Sequence, residues 1–122
     1  MGDSMLLLEE IVLQEKNRIE NMIKLYESEL SSLAHGTLVK KKINGKDYVY
    51  IQYRDGKKII SKYIGKSEEK IAEIKEQLVR RHQIEIILKQ LKAEHTLAKK
   101  YMEVSGWLFI MVAMLQSKTL KY

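Results

Sequence analysis

The chain has no cysteine and no proline, one tryptophan and one phenylalanine among its 122 residues, and only six glycines. Without cysteine there are no disulfides, no zinc-thiolate sites and no thiol nucleophile, and a reducing cytoplasm is the expected compartment. Without proline, long helices run uninterrupted. No apolar run approaches the ~20 residues that cross a bilayer. The apolar start Met5 to Leu8 leads straight into Glu9 and Glu10, which is not a signal peptide. Leu6 stands where a myristoylation pattern needs Ser or Thr. Met1-Gly2-Asp3-Ser4 reads as an expression scar ahead of a native start at Met5.

What the chain does have is positive charge in one place. It carries 22 basic and 16 acidic residues, a formal net charge of +6. Between Lys40 and Lys66, eight lysines and Arg54 face only Asp47 and Asp55, so this segment holds 9 − 2 = +7 and everything else sums to −1. Such a cluster on a neutral scaffold is a footprint for nucleic acid, anionic head groups or an acidic protein. It is equally what a sheet edge uses to discourage aggregation.

The basic segment sits between two helical patterns, in what length makes a single domain. Residues 4–34 form the first helix, with Asp3 or Ser4 as cap. Val12, Ile19, Tyr26 and Leu33 recur every seven residues, beside a companion seam of Leu8, Met22 and Leu30 interrupted by Glu15. His35-Gly36 ends it. Residues 67–103 form the second helix, capped by Ser67 with Glu68 and Glu69 in its first turn. Its stripe runs through Ile71, Ile74, Leu78, Ile84, Leu88, Leu91 and Ala98, broken by Arg80, Arg81 and His82. The fold class is α+β and mostly helical: two long antiparallel coiled-coil-like helices flanking a three-stranded antiparallel β-meander over 37–64. Helices of this length predict an elongated molecule whose free seam makes a homodimer.

Asn44-Gly45 and Asp55-Gly56 are strong hairpin signals, since type I′ turns need positive φ at both central residues. Read as two-residue loops, they set Ile43 opposite Lys46, Tyr48 between Lys41 and Tyr63, and Ile51 between Leu38 and Ile60. Alternation then divides the sheet. One face carries Leu38, Val49, Ile51, Tyr53, Ile60 and Ile64 and packs on the helices. The other carries Val39, Ile43, Tyr48, Tyr50, Ile59 and Tyr63 with Lys41, Lys46, Arg54 and Lys57, and is the working face.

After Val104-Ser105-Gly106 comes the apolar run Trp107 to Leu115, then Lys118 and Lys121. A short helix over 106–117 is expected, folded back on the helix pair or exchanged within a dimer, in preference to an interfacial membrane contact.

Enzyme chemistry finds little support. Gly65-Lys66-Ser67 resembles the end of a phosphate-binding loop, but Ile60 occupies the position of the required earlier glycine. A metal site from His82, Glu85 and His95 fails on spacing, because His82 and Glu85 are neighbours on one helical face but His95 lies more than three turns beyond His82. The expectation is no metal, no cofactor and no catalytic residue. The tyrosine-lysine face is the more specific constellation. Aromatics on a sheet stack on unpaired bases while lysines neutralise phosphates, although tyrosines in cross-strand pairs also serve packing alone. The candidate binding residues are Lys41, Lys46, Tyr48, Tyr50, Arg54, Lys57, Tyr63 and Lys66, extended by Arg80 and Arg81. The partner is DNA or RNA in one reading. In the other it is a host nuclease or similar protein, bound by a phage or mobile-element inhibitor of anti-CRISPR type.

The run Tyr48 to Lys66 (YVYIQYRDGKKIISKYIGK), preceded by HGTLVKKKINGK, resembles a family of small uncharacterised prokaryotic helix–hairpin–helix proteins often carried by phages and mobile elements. The likeness spans roughly residues 10 to 100 and rests on Gly36-Thr37-Leu38, Tyr48, Tyr50, Gly56-Lys57 and Tyr63-Ile64-Gly65-Lys66. The hairpin is also similar to N-terminal segments of some bacterial transposases, which implies DNA but no catalytic residues. The run from Trp107 departs from the family pattern.

Overall fold

The structure, a computed structural model, describes the backbone of residues 2–119 and the side chains of 7–117. It is α+β and mostly helical, in the order α1 (Gly2–Ser32), β1 (Thr37–Ile43), β2 (Lys46–Asp55), β3 (Lys58–Gly65) and α2 (Glu68–Thr119). The chain divides into two compact units, one of Met1–Tyr26 with Leu88–Tyr122 and one of Glu27–Ile87. Both helices contribute to both units. The helix α1 begins at Gly2, ahead of the expected caps Asp3 and Ser4, whose side chains are outside those described.

The unit of Glu27–Ile87 is built on the sheet, ordered β1-β2-β3 and antiparallel throughout. Asn44 (φ 55°) and Gly45 (φ 78°) both adopt the left-handed conformation, so the first turn is the expected type I′ and sets Ile43 opposite Lys46. The second turn differs. Asp55 pairs with Lys58 inside the ladder, the loop is Gly56-Lys57, and of these residues only Gly56 (φ 64°) is left-handed. Glycine at the first central position is the type II′ solution. It spares Asp55 a strained backbone and sets it across from a lysine, a favourable cross-strand pair. The β2–β3 register therefore slides by two residues from expectation: Tyr63 faces Tyr50 rather than Tyr48, and Ile60 faces Tyr53 rather than Ile51. A two-residue slide preserves side-chain alternation, so both faces keep their composition. Beyond this pair Val49 faces Gly65, which leaves Ile64 as the extra residue of a bulge.

Val49, Ile51 and Ile64 are buried together, packed by Leu38, Ala34 and the Ile71, Ile74 and Leu78 stripe of α2. This is the aliphatic face expected to meet the helices. Ser67 starts α2 as anticipated, accepting from the Lys70 amide through its Oγ (3.5 Å) and from the Ile71 amide through its carbonyl (3.1 Å).

In the other unit the two helical segments are antiparallel. His95 Nε2 lies 2.9 Å from Glu20 Oε1, and Ser105 Oγ hydrogen-bonds the Glu9 carboxylate. Ile19, Leu88 and Leu91 are buried, and Val12 and Ala98 half-buried, at the positions the stripes indicated; Leu8 is exposed. The separate C-terminal helix is not seen. Instead α2 continues through Ser105-Gly106 to Thr119. No proline stops it, one internal glycine costs a helix only about 1 kcal/mol, and Ser105 is tied to α1. Nor does the segment fold back, since Trp107 to Val112, Met114 and Leu115 are all exposed.

Candidate functional site

With the aliphatic face covered by helix, the opposite face of the sheet is left open. Along β2 its positions are Lys46, Tyr48, Tyr50, Gln52 and Arg54, each two residues from the next. The register sets Lys41 against Tyr48, Val39 against Tyr50, Tyr63 against Tyr50 and Ile59 against Arg54. Tyr63 is 52% exposed and Ile59 66%, whereas Tyr48 and Tyr50 are half-buried.

The three tyrosines form one cluster. Tyr63 lies 5.4 Å from Tyr50 and 5.9 Å from Tyr48, centroid to centroid, with rings tilted by 53° and 56°. That geometry is the tilted, edge-to-face kind that ring quadrupoles favour. Two cations cover it: Lys41 Nζ sits 4.9 Å from the Tyr50 centroid and Lys66 Nζ 5.0 Å from that of Tyr48. The tyrosines thus make cross-strand pairs and, at the same time, hold two ammonium groups at the surface. Beside them is a shallow depression lined by Thr37, Val39, Gln52, Tyr53, Arg54 and Ile59. Gln52 was not a candidate from sequence, although the period-2 alternation of β2 already places it on the face of Tyr50 and Arg54.

All nine basic side chains from Lys40 to Lys66 are exposed, and among the described residues none is in an ion pair. Lys46 is beside the first turn and Lys57 within the second. The sheet therefore presents its charge without internal neutralisation.

Arg80 and Arg81 do not extend this face. They lie on α2, on the helical side of the sheet, and both are engaged with α1. Arg80 pairs with Glu29 through Nε (2.7 Å) and Nη2 (3.1 Å), and this holds the Glu29 carboxyl below the usual carboxylate range. Arg81 donates to the carbonyls of Leu30, which also accepts from the Leu33 amide (3.2 Å), of Leu33 (2.9 Å) and of Ala34 (2.8 Å), at the C-terminal end of α1 where intrahelical donors run out. Gln77 completes the arrangement by accepting from the Ala34 amide at 2.9 Å. The polar interruption in the α2 stripe is a C-terminal clamp for α1.

The other polar candidates separate in the same way. His95 bonds Glu20, whose carboxyl is lowered first by His95 and then by Lys16. His82 and Glu85 are exposed. No group of three potential ligands that could hold a metal ion occurs among the described residues.

The chain belongs to the family defined as a domain of unknown function (DUF6788), whose model matches residues 12–76. The match takes in the whole sheet, the tyrosine cluster and the Ser67 cap, in line with the expected uncharacterised family. No curated protein and no solved structure matches the chain.

Proposed function

We propose that the protein is a non-enzymatic nucleic-acid-binding accessory protein that uses the open, tyrosine-bearing face of its basic sheet. The observation that carries this is charge: nine exposed cations without ion pairs, against two acids, on the sheet and its turns, five of them (Lys41, Lys46, Arg54, Lys57 and Lys66) on or beside the open face. Lys41, Lys66, Lys46, Arg54 and Lys57 would meet phosphates. Tyr63, the most exposed ring of the cluster, would offer a stacking surface to an unpaired base, with the depression beside Arg54 as a neighbouring place for a base or sugar. The resemblance of the hairpin to N-terminal segments of some bacterial transposases favours DNA as the polymer.

The test is fluorescence anisotropy with single-stranded DNA, duplex DNA and RNA of mixed sequence, across a salt series. Binding should weaken steeply and linearly in log–log form as salt rises. Reversing Lys41, Lys46, Arg54 and Lys57 together to glutamate should abolish it. No binding of any of the three at low salt would sink the proposal.

A second reading has its own observation. Ile43, Ile59 and Tyr63 are exposed apolar groups on the same face, and such groups anchor protein interfaces. A mobile-element inhibitor seated on a host nuclease would use them. Its complex would survive moderate salt and fail on Tyr50→Ala or Ile59→Asp, the reverse of the electrostatic pattern.

A further inference from the structure

The unit of Met1–Tyr26 and Leu88–Tyr122 has a feature that the sheet does not explain. One stripe of α2 faces α1 through Leu91, His95, Ala98, Met102 and Ser105, at spacings of 4, 3, 4 and 3 residues. A second stripe, Leu97, Tyr101, Val104, Leu108, Met111 and Leu115, has spacings of 4, 3, 4, 3 and 4, and every member is exposed. At 3.6 residues per turn the two stripes lie roughly 120° apart on the helix. The second is a heptad seam left exposed along its length. Near its start it borders an apolar groove between the helices, lined by Ile11, Val12 and Ile19 from α1 and by Leu97, Ala98 and Tyr101 from α2.

We infer that this seam is the interface for a second copy of the chain, in which two α2 helices pair antiparallel about a two-fold axis at the level of Gly106. Four observations select that occupant. The spacing reads the same from both ends, so in this register Leu97 meets Leu115, Tyr101 meets Met111 and Val104 meets Leu108 of the other copy. That is the self-complementarity an isologous contact requires. The same register brings Glu94 level with position 118, a lysine in the sequence, whereas a parallel pair would bring lysine level with lysine.

Third, the area suffices. The six seam side chains, 38–67% exposed, together with the exposed Leu8 and Ile11 of α1, present on the order of 800 Å². A stable interface takes about 800 Å² from each partner, and a monomer's largest apolar patch is ordinarily about 300–600 Å². Fourth, residues 107–115 are apolar on every side. A helix lying on a lipid surface keeps a polar face; one that is apolar all round is enclosed. In the antiparallel pair this segment runs alongside residues 97–105 of the other copy and its α1, where Leu8 and Ile11 are also exposed. Met111 and Leu115 then enter the other copy's groove. The pairing is independent of the nucleic-acid reading, because it uses none of the same residues.

Because the chain has no cysteine, introduced thiols report only on the interface. Full-length Leu97→Cys and Leu115→Cys, each oxidised alone, should stay uncrosslinked, and their mixture should give a disulfide-linked pair. Sedimentation equilibrium should give twice the chain mass for the wild type. Leu108→Glu and Met111→Glu, each exposed in the single chain and so compatible with its fold, should weaken association at least about 100-fold with an unchanged helical circular-dichroism spectrum. A monomeric wild type, a monomer that instead floats with phosphatidylcholine vesicles, crosslinking of Leu97→Cys with itself, or a dimer unaffected by both glutamates would each overturn the inference.

Discussion

Gly36 lies directly beneath the carbonyl oxygen of Gln52, so close that a Cβ at position 36 would collide with it and also crowd Cβ of Tyr53. Its φ of 121° is one that side-chain-bearing residues rarely adopt. The exit from α1 thus depends on glycine for two separate reasons. Gly36→Ala should cost about 2 kcal/mol or more, since strain of this kind alone is worth about 1–3 kcal/mol. Gly56→Ala meets only open space and should cost about 1 kcal/mol. Urea midpoints of the two variants decide the order; equal losses would show that the Gln52 contact is not tight.

The two faces of the sheet should respond oppositely to truncation. Ile51→Ala removes a buried side chain from the core beneath the sheet and should cost about 2–5 kcal/mol. Ile59→Ala, on the open face, should change stability by no more than about 0.5 kcal/mol. Thermal denaturation of both variants checks the assignment, and a large loss from Ile59→Ala would mean that something covers this face.

Arg81→Ala should destabilise the fold by about 2 kcal/mol, because it leaves carbonyls at the end of α1 without their charged donor. Arg81→Lys should rescue little, since an ammonium cannot span three acceptors as the planar guanidinium does. Neither change should alter the salt slope of nucleic-acid binding. A slope reduced by about one per arginine removed would return Arg81 to the binding face.

The Arg80–Glu29 pair gives the fold an acid-sensitive element. Arg80 lowers the Glu29 pKa in the folded state, so the folded form binds fewer protons than the unfolded chain in the acid range. The contribution of the pair is then complete above the ordinary glutamate pKa, near 4.3, and is lost as pH falls through the lowered folded value. Glu29→Gln should lower the melting temperature slightly at neutral pH and leave it unchanged at pH ~2. An equal loss at both pH values would show that packing rather than charge is being measured.

Tyr63→Ala and Lys41→Glu should separate the two proposed modes of binding. Removing the most exposed ring of the cluster should weaken single-stranded nucleic acid by about 1–3 kcal/mol and duplex DNA much less. Reversing Lys41 should weaken both and flatten the salt slope. A protein partner would instead be lost on Tyr63→Ala with little dependence on salt.

Local sequence determined much of this. Asn44-Gly45 compelled a type I′ turn, Ser67-Glu68-Glu69 opened α2, and strict alternation along β2 separated the aliphatic face from the tyrosine face. Each of these is a short-range matter of backbone sterics, capping or side-chain period. The stripes of α1 and α2 likewise marked Ile19, Leu88 and Leu91 as buried before any partner was known.

Tertiary structure decided what depends on competition between distant groups. Asp55-Gly56 is compatible with two turns, and the sheet took the one that joins Asp55 to Lys58 and Tyr50 to Tyr63, which needs no left-handed aspartate. Arg80 and Arg81 looked like more of the basic footprint, because charge alone does not reveal which carbonyls and carboxylates lie within reach. Ser105-Gly106 looked like a break, but a glycine ends a helix only where the chain gains from turning. Here Ser105 is bonded to Glu9, and α2 carries its apolar residues onward into the open.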